Sequence, residues 1–359
     1  MPLAIPYMHF RGGSSKGLFF LKKDLPEDET LRNQYLISAI EGTTLGDSRQ
    51  IDGLGGGSSL SSKIAIVSPS TIPEADLDYF FVQVQIGKGK VSTLQTCGNM
   101  LAGVLPFAIE SGIIKASTPT TSARINMVNT GGICEVLVQT PEYQVQYEGS
   151  TKIDGVVGTS APIICNYLDT IGATCGALLP TGNSIDVFYD IEATCIDNGM
   201  PVVIMRASDF GLSGYENILE LEENSALKQK IEAIRLIAGQ KMQLGDVSQQ
   251  TIPKMCLIAA PIQGGVVHTR MFIPHVVHEA IGVLAAVSVA TACILPDSIT
   301  TKIANFSADS ALFSIEHPSG EFTVNLDYLI KNQEVIIQSS GVVRTARLIS
   351  KGEVYIATS

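Results

Sequence analysis

Two residues stand where their chemistry would be usable. Lys63 closes the glycine- and serine-rich part of IDGLGGGSSLSSKIAIV, residues Ile51 to Val67, and an apolar run follows it directly. A lysine at the mouth of a buried strand is drawn towards a desolvated place, where it holds its proton less tightly and can serve as a general base or acid. Cys97 stands in QTCGNM, just ahead of an apolar helical run. There a helix dipole and free backbone N–H groups would stabilise its thiolate. Each residue also has a plainer reading, as a solvated loop lysine and an inert buried thiol. The run Gly55–Gly56–Gly57 is either a surface linker or a backbone that a ligand must approach closely, because glycine loses much entropy on folding and needs a reason.

Around these two lie groups suited to holding carboxylates. Gly98 gives access to backbone, and Asn99 carries an amide. HFRGGSSKG supplies Arg11, Gly13, Ser14 and Ser15, and Ser59 sits in the loop before Lys63. LLPTGNS supplies Thr181, Gly182 and Ser184. Arg270 and the pair His275 and His278, in FIPHVVHEA, are expected to hold carboxylates or move protons. Two histidines without an accompanying carboxylate motif argue against a metal. RGGSSK lacks the phosphate-loop spacing, and no catalytic triad, dinucleotide fingerprint or kinase signature is present.

The chain that must position these groups has 359 residues, 45% of them hydrophobic, a formal net charge of −11 and no tryptophan. That length suggests two domains. The negative balance disfavours nucleic acid and anionic membranes as partners. The longest apolar run, Ile281 to Leu295, is too short to span a bilayer and reads as a helix buried in a core. Seven scattered cysteines with no CxxC pair suit a cytoplasmic protein.

Helices are expected over 26–40, 98–111, 225–238 and 278–294, each closed by glycine or proline signals. β-branched runs predict strands near 17–21, 64–67, 79–86, 125–128, 133–139, 202–205, 255–259, 312–316, 321–326, 335–338 and 344–349. The order strand, helix, lysine-strand, helix occurs twice, leading to Lys63 and CGNMLAGVL, then to Lys254 and HEAIGVL. This points to an internal duplication. The expected fold is α+β, with two pseudo-symmetric domains, each wrapping strands around a central helix. They are placed at 1–175 and 176–341, with a strand from 342–359 returning to the first.

RGGSSKGLFF, RQIDGLGGGSSLSSKIAIV and CGNMLAGVLPFA resemble the PrpF family, whose members move protons and double bonds in unsaturated polycarboxylates. Further similar segments reach from residue 11 to 348. The resemblance implies a diaminopimelate epimerase-like fold with its site between two like domains, no cofactor, and Lys63 and Cys97 as the catalytic pair. It implies a small unsaturated di- or tricarboxylate substrate, and a homodimer is the expected assembly. Ser14 replaces the family's usual threonine and keeps the hydroxyl. The second-helix region, PHVVHEA, lacks the second cysteine of amino-acid epimerases, which disfavours racemisation and agrees with an allylic shift.

Overall fold

The computed structural model describes residues 3–94, 96–307, 309–331 and 334–356. By its internal contacts the chain divides into two units, Met1–Asn166 with Val343–Ser359, and Tyr167–Val342.

In the first unit, β1 (Leu3–Gly12) turns into β2 (Ser15–Leu21), and α1 (Glu29–Glu41) crosses to β3 (Lys63–Pro69). Then come β4 (Leu77–Gln85), β5 (Lys90–Ser92), the short helices α2 (Gly98–Leu101) and α3 (Val104–Glu110), β6 (Thr120–Met127), β7 (Gly132–Gln139) and β8 (Ile163–Tyr167). β1 pairs antiparallel with β2, β2 parallel with β3, and β3 antiparallel with β4. The far edge of β4 is shared, taking β5 antiparallel at one end and β6 parallel at the other. β7 pairs antiparallel with β6, and the C-terminal strand Ala346–Ile356 runs antiparallel along the outer edge of β1.

β3 is almost wholly buried because helices cover both of its faces. Ile64 and Ile66 join Leu18, Phe20, Val82, Leu36 and Ile40 beneath α1. Alternate residues face the other way, where Phe10, Phe19 and Phe107 stack with ring centroids 5.1 to 6.4 Å apart. Asp28, not Pro26, opens α1: its carboxylate accepts from the Leu31 N–H at 2.8 Å, and Gly42 closes the helix at φ 76°. The continuous helix expected over 98–111 is broken into α2 and α3. At the break, a Cβ on Gly103 would lie 2.6 Å from the Phe19 ring.

The second unit uses the same order of pairings. Its strands are β9 (Asp186–Phe188), β10 (Ile191–Asp197), β11 (Pro201–Arg206), β12 (Lys254–Ala259), β13 (Val267–Ile273), β14 (Val276–Val277), β15 (Leu312–His317), β16 (Gly320–Lys331) and β17 (Glu334–Arg344). β10 to β11 is antiparallel, β11 to β12 parallel, and β12 to β13 antiparallel. β13 takes β14 antiparallel and β15 parallel, and β16 closes on β15 antiparallel. Between β11 and β12 come α4 (Ile218–Glu223) and α5 (Ser225–Lys241); α6 (Val283–Ile294) precedes β15.

Leu227, Ile231, Ile234 and Ala238 of α5 pack on Val203, Met205, Met255, Leu257 and Phe272. Gly239 does not stop this helix: it lies inside it, where a Cβ would meet the Val247 side chain at 2.5 Å. α6 begins at Val283, five residues later than the start expected at 278, and Ala285 to Ile294 are all buried. No helix among the described residues is long and apolar enough to cross a membrane.

Candidate active site

The glycine loop before Lys63 has a structural reason. Leu54 and Gly55 donate backbone N–H groups to the Ala39 and Ile40 carbonyls, so the loop pads the last turn of α1. A Cβ on Gly53 would meet the Ile40 carbonyl oxygen at 2.2 Å, and one on Gly55 would meet Gln50 Oε1 at 1.9 Å. Gln50 is buried; its Oε1 accepts from the Gly57 N–H at 2.8 Å, and its amide also engages the Ser62 hydroxyl. The loop is therefore an internally tied cap rather than a loose linker. Ser59 is exposed on it, and its carbonyl accepts from Gln83 Nε2 at 3.3 Å.

Lys63 opens β3 opposite Gly17 on one side and Gln83 on the other. The residue is buried at 8% exposure, yet its ammonium group is not paired with a carboxylate among the described residues. Its Nζ donates to Gln83 Oε1 at 2.7 Å and lies 5.2 Å from the Phe81 ring centroid. Gly17 must lack a side chain, because a Cβ there would sit 2.1 Å from the Lys63 carbonyl oxygen.

Cys97 precedes α2 and is half-buried. Its carbonyl accepts from the Tyr79 hydroxyl at 3.1 Å and from the Leu101 N–H at 3.0 Å. The expectation of a full helix dipole behind the thiol needs correction: α2 is a single four-residue turn, with little macrodipole of its own. Burial distinguishes Cys97 from most of the other cysteines. Cys134, Cys165, Cys195, Cys256 and Cys293 are buried, and desolvation pushes the thiols of Cys134, Cys195, Cys256 and Cys293 up, Cys293 to about 12. Cys175 is likewise pushed to about 12 by burial and by Asp197.

Residues 12–15 pack on the first turn of α2. A Cβ on Gly13, whose φ is +50°, would meet Asn99 Oδ1 at 2.1 Å. Asn99 Nδ2 donates to the Ser14 and Ser15 hydroxyls at 3.1 and 3.3 Å, while Gly98 opens the helix beside it. Arg11 is a strut across this turn. Its Nη1 donates to the Gly13 carbonyl at 2.9 Å and to Thr345, and its Nη2 to Ser160 Oγ at 3.1 Å. Arg11, Ser14, Ser15 and Lys16 line a pocket of about 320 Å³ together with Ser61 and the 155–157 turn. Lys63 and Cys97 do not line it.

Sequence reasoning overlooked the part played by β4. Tyr79, Phe81 and Gln83 alternate along one face of that strand and contact Cys97, Lys63 and Lys63 respectively. Between the stretches paired to β5 and β6, Asn129 completes the strand edge: it accepts from the Phe81 N–H at 2.8 Å and donates to the Phe81 carbonyl at 2.9 Å. Its Nδ2 also holds the Thr93 carbonyl at 2.8 Å, which anchors the chain leading to Cys97. An isolated asparagine and glutamine carry no motif that would have marked them.

In the second unit the six named residues are spread over separate environments. Thr181 donates to Asp186 Oδ2 at 2.6 Å, Gly182 turns at φ 78°, and the Ser184 carbonyl accepts from Thr194 at 2.7 Å. Arg270 is buried. It donates to the Glu216 and Thr269 carbonyls at 2.7 and 2.9 Å and to His268 Nε2, which fixes His268 as the neutral tautomer giving its Nδ1 proton to Glu316 at 2.9 Å. His275 is exposed, 3.9 Å from Glu232. His278 accepts from the Ala280 N–H at 2.9 Å and lines a pocket of about 250 Å³ with Lys254 and the start of α6. Burial, then Lys254, holds the His278 imidazole below its ordinary value; burial, then Arg235, lowers Lys254. Lys254 opens β12 as Lys63 opens β3, and sequence reasoning noted its place without naming it a site residue. Among the described residues no cluster of three or more His, Cys, Asp or Glu side chains is arranged to hold a metal.

The family described as "PrpF protein" matches residues 3–357. The chain belongs to the PrpF family. It is 51% identical to 4-oxalomesaconate tautomerase of Pseudomonas putida over 353 residues, covering 98% of this chain and 96% of that protein. It is 48% identical to (4E)-oxalomesaconate Delta-isomerase of Novosphingobium sp., covering 98% and 97%. Among solved structures it is similar to methylitaconate-delta-isomerase, with a TM-score of 0.87 at 32% identity over 99% of this chain and 96% of that one.

Proposed function

We propose that this PrpF protein is a cofactor-independent isomerase that catalyses keto–enol tautomerisation of 4-oxalomesaconate by a 1,3-proton shift, in the degradation of gallate-type aromatic compounds. The observation that carries the reading is the 51% identity to the Pseudomonas putida tautomerase over nearly the whole of both chains. The pairing order common to the two units supports reading them as duplicated, epimerase-like halves, and scattered free cysteines support a cytoplasmic setting.

In the proposed chemistry Lys63 and Cys97 form the proton-transfer pair. One removes a proton from one end of the three-atom unit, and the electron pair left behind delocalises onto the keto and carboxylate oxygens. A proton then returns at the other end, so the reaction is redox-neutral and atoms balance. The dienolate-like intermediate is stabilised by donors placed where its charge gathers. Arg11, the Gly13–Ser15 turn, Ser59, Gly98 and Asn99 are proposed as such donors in the first unit. Thr181, Gly182, Ser184, Arg270, His275 and His278 are proposed as carboxylate-holding groups in the second.

A panel of unsaturated di- and tricarboxylates, followed by ultraviolet absorbance and by proton NMR in heavy water, tests the reading. Turnover of 4-oxalomesaconate with solvent deuterium entering the product is expected. Turnover of 2-methylaconitate alone would move the assignment to a cis–trans isomerase. Tight binding without turnover of any member would make the protein a carboxylate binder.

A further inference from the structure

We propose that Gln83 is the positioning residue for Lys63, a neutral acceptor that aims the lysine's amine without binding it to a carboxylate. The proposal rests on the reading of Lys63 as a proton-transfer group. Lys63 and Gln83 are direct partners in the antiparallel β3–β4 pair, so their side chains project from the same face. The orientation of the Gln83 amide follows from its surroundings. Its Nε2 faces three carbonyl oxygens, those of Ser62 at 2.9 Å, Val84 at 3.2 Å and Ser59 at 3.3 Å. Only the nitrogen can donate to carbonyl oxygens, its two N–H groups shared among the three, so Oε1 is left to accept from Lys63 Nζ at 2.7 Å.

The choice of an amide has a chemical consequence. A carboxylate at this position would stabilise the ammonium form and tie it into an ion pair. An amide oxygen fixes the direction of Nζ while leaving the group free to give and take a proton. The Phe81 ring, two residues earlier on the same strand face, lies with its centroid 5.2 Å from Nζ and borders the amine on that side. Gln83 also joins the aim of Lys63 to the conformation of the Ser59–Ser62 segment, since the same amide holds both.

Two variants and two readouts test this. Gln83→Leu removes the acceptor, and Gln83→Glu replaces it with a charge; circular dichroism and thermal melting establish that each is folded. The protonation of Lys63 is read without substrate, by trace acetylation with acetic anhydride across pH and peptide mass spectrometry. In Gln83→Glu the midpoint of Lys63 labelling is expected to rise by about one pH unit, and the limb of the kcat profile that titrates Lys63, acidic if it acts as base and basic if it acts as acid, to move up with it. In Gln83→Leu kcat is expected to fall by about tenfold or more with KM changed little, the pattern of a lost transition-state alignment. Folded variants that label Lys63 as the wild type does and keep its kcat profile would overturn the proposal. Lys63→Ala is the control for the underlying reading: full activity there refutes the role of Lys63, whereas the labelling midpoints judge Gln83 independently of activity.

Discussion

The Tyr79 hydroxyl donates to the Cys97 carbonyl at 3.1 Å, and Tyr79 lies on the strand whose next two same-face residues, Phe81 and Gln83, hold Lys63. One strand face thus carries the supports of both proposed catalytic groups. Tyr79 and Phe81 are completely buried, so the supports belong to the packed core and move only with it.

Cys97→Ala is expected to stay folded and to lose activity by ~10²–10⁴, the usual worth of a general acid–base group. Cys97→Ser should fall nearly as far, because an alcohol is a much poorer acid than a thiol and the half-buried position already admits a small polar side chain. Steady-state kinetics on the substrate panel decide this. A serine variant with wild-type kcat would remove Cys97 from proton transfer.

Lys63→Ala should cost a comparable ~10²–10⁴ in kcat. It also leaves Gln83 Oε1 without its partner on Phe81's flank, so a loss of about 1 kcal/mol in stability is expected as well. Urea denaturation separates the two effects. Wild-type turnover in a folded Lys63→Ala protein is the result that refutes the assignment.

Much of this arrangement is legible in the order of residues alone. KIAIV and CGNMLAGVL are apolar runs with a single reactive residue at the mouth, and burial on both faces is what such runs require. What local pattern could not supply were contacts made across long separations. Gly55 is excluded from carrying a side chain by Gln50 and Gly239 by Val247, so a glycine read as loop and one read as a helix stop are both packing residues, and Gly103, expected inside one continuous helix, sits against Phe19 at its break. β1 and β10 carry few of the β-branched runs that mark strands, yet each is held along its length by partners, β1 by residues more than 330 positions away in part. Gln83, Asn129 and Lys254 gain their meaning only from the strands they face.

His9 makes acid stability testable. It is buried on β1, its Nε2 has no hydrogen-bond partner among the described residues, and burial followed by Lys16 lowers its value to about 4. A histidine lowered from its ordinary 6.5 is neutral in the folded chain while the unfolded chain takes up a proton. Its contribution to stability is therefore complete above pH 6.5 and is lost as pH falls towards 4. His9→Leu should flatten the decline in urea midpoint over that window without abolishing it, because His268 and His278 are lowered in the same direction. Identical slopes for wild type and variant would contradict this account.

Dialysis against a chelator should leave the isomerase activity unchanged. Three of the five histidines, His9, His268 and His317, are buried on strands, and His268 is already committed to Glu316 and Arg270. Inactivation by chelator, with recovery on adding back zinc or iron, would show that a metal takes part.

The last prediction concerns the second unit. Arg270 donates to two backbone carbonyls and to His268, so Arg270→Ala should act first on stability: it leaves buried acceptors unpaired, at about 1–3 kcal/mol for each such group. His278 and Lys254 differ, because both line the pocket at the start of α6 and no carboxylate is paired with either among the described residues. Uncapped N–H groups at Val283 and beyond add to the attraction for an anion there. If this pocket holds a substrate carboxylate in ground and transition states alike, Lys254→Ala and His278→Ala raise KM by about tenfold and leave kcat nearly unchanged. Ser184 does not line this pocket; it is proposed separately as a carboxylate-holding group, and Ser184→Ala should raise KM by less. A fall in kcat at constant KM would instead place His278 in the proton-transfer step, and unchanged kinetics in all three variants would make the second unit a scaffold for the first.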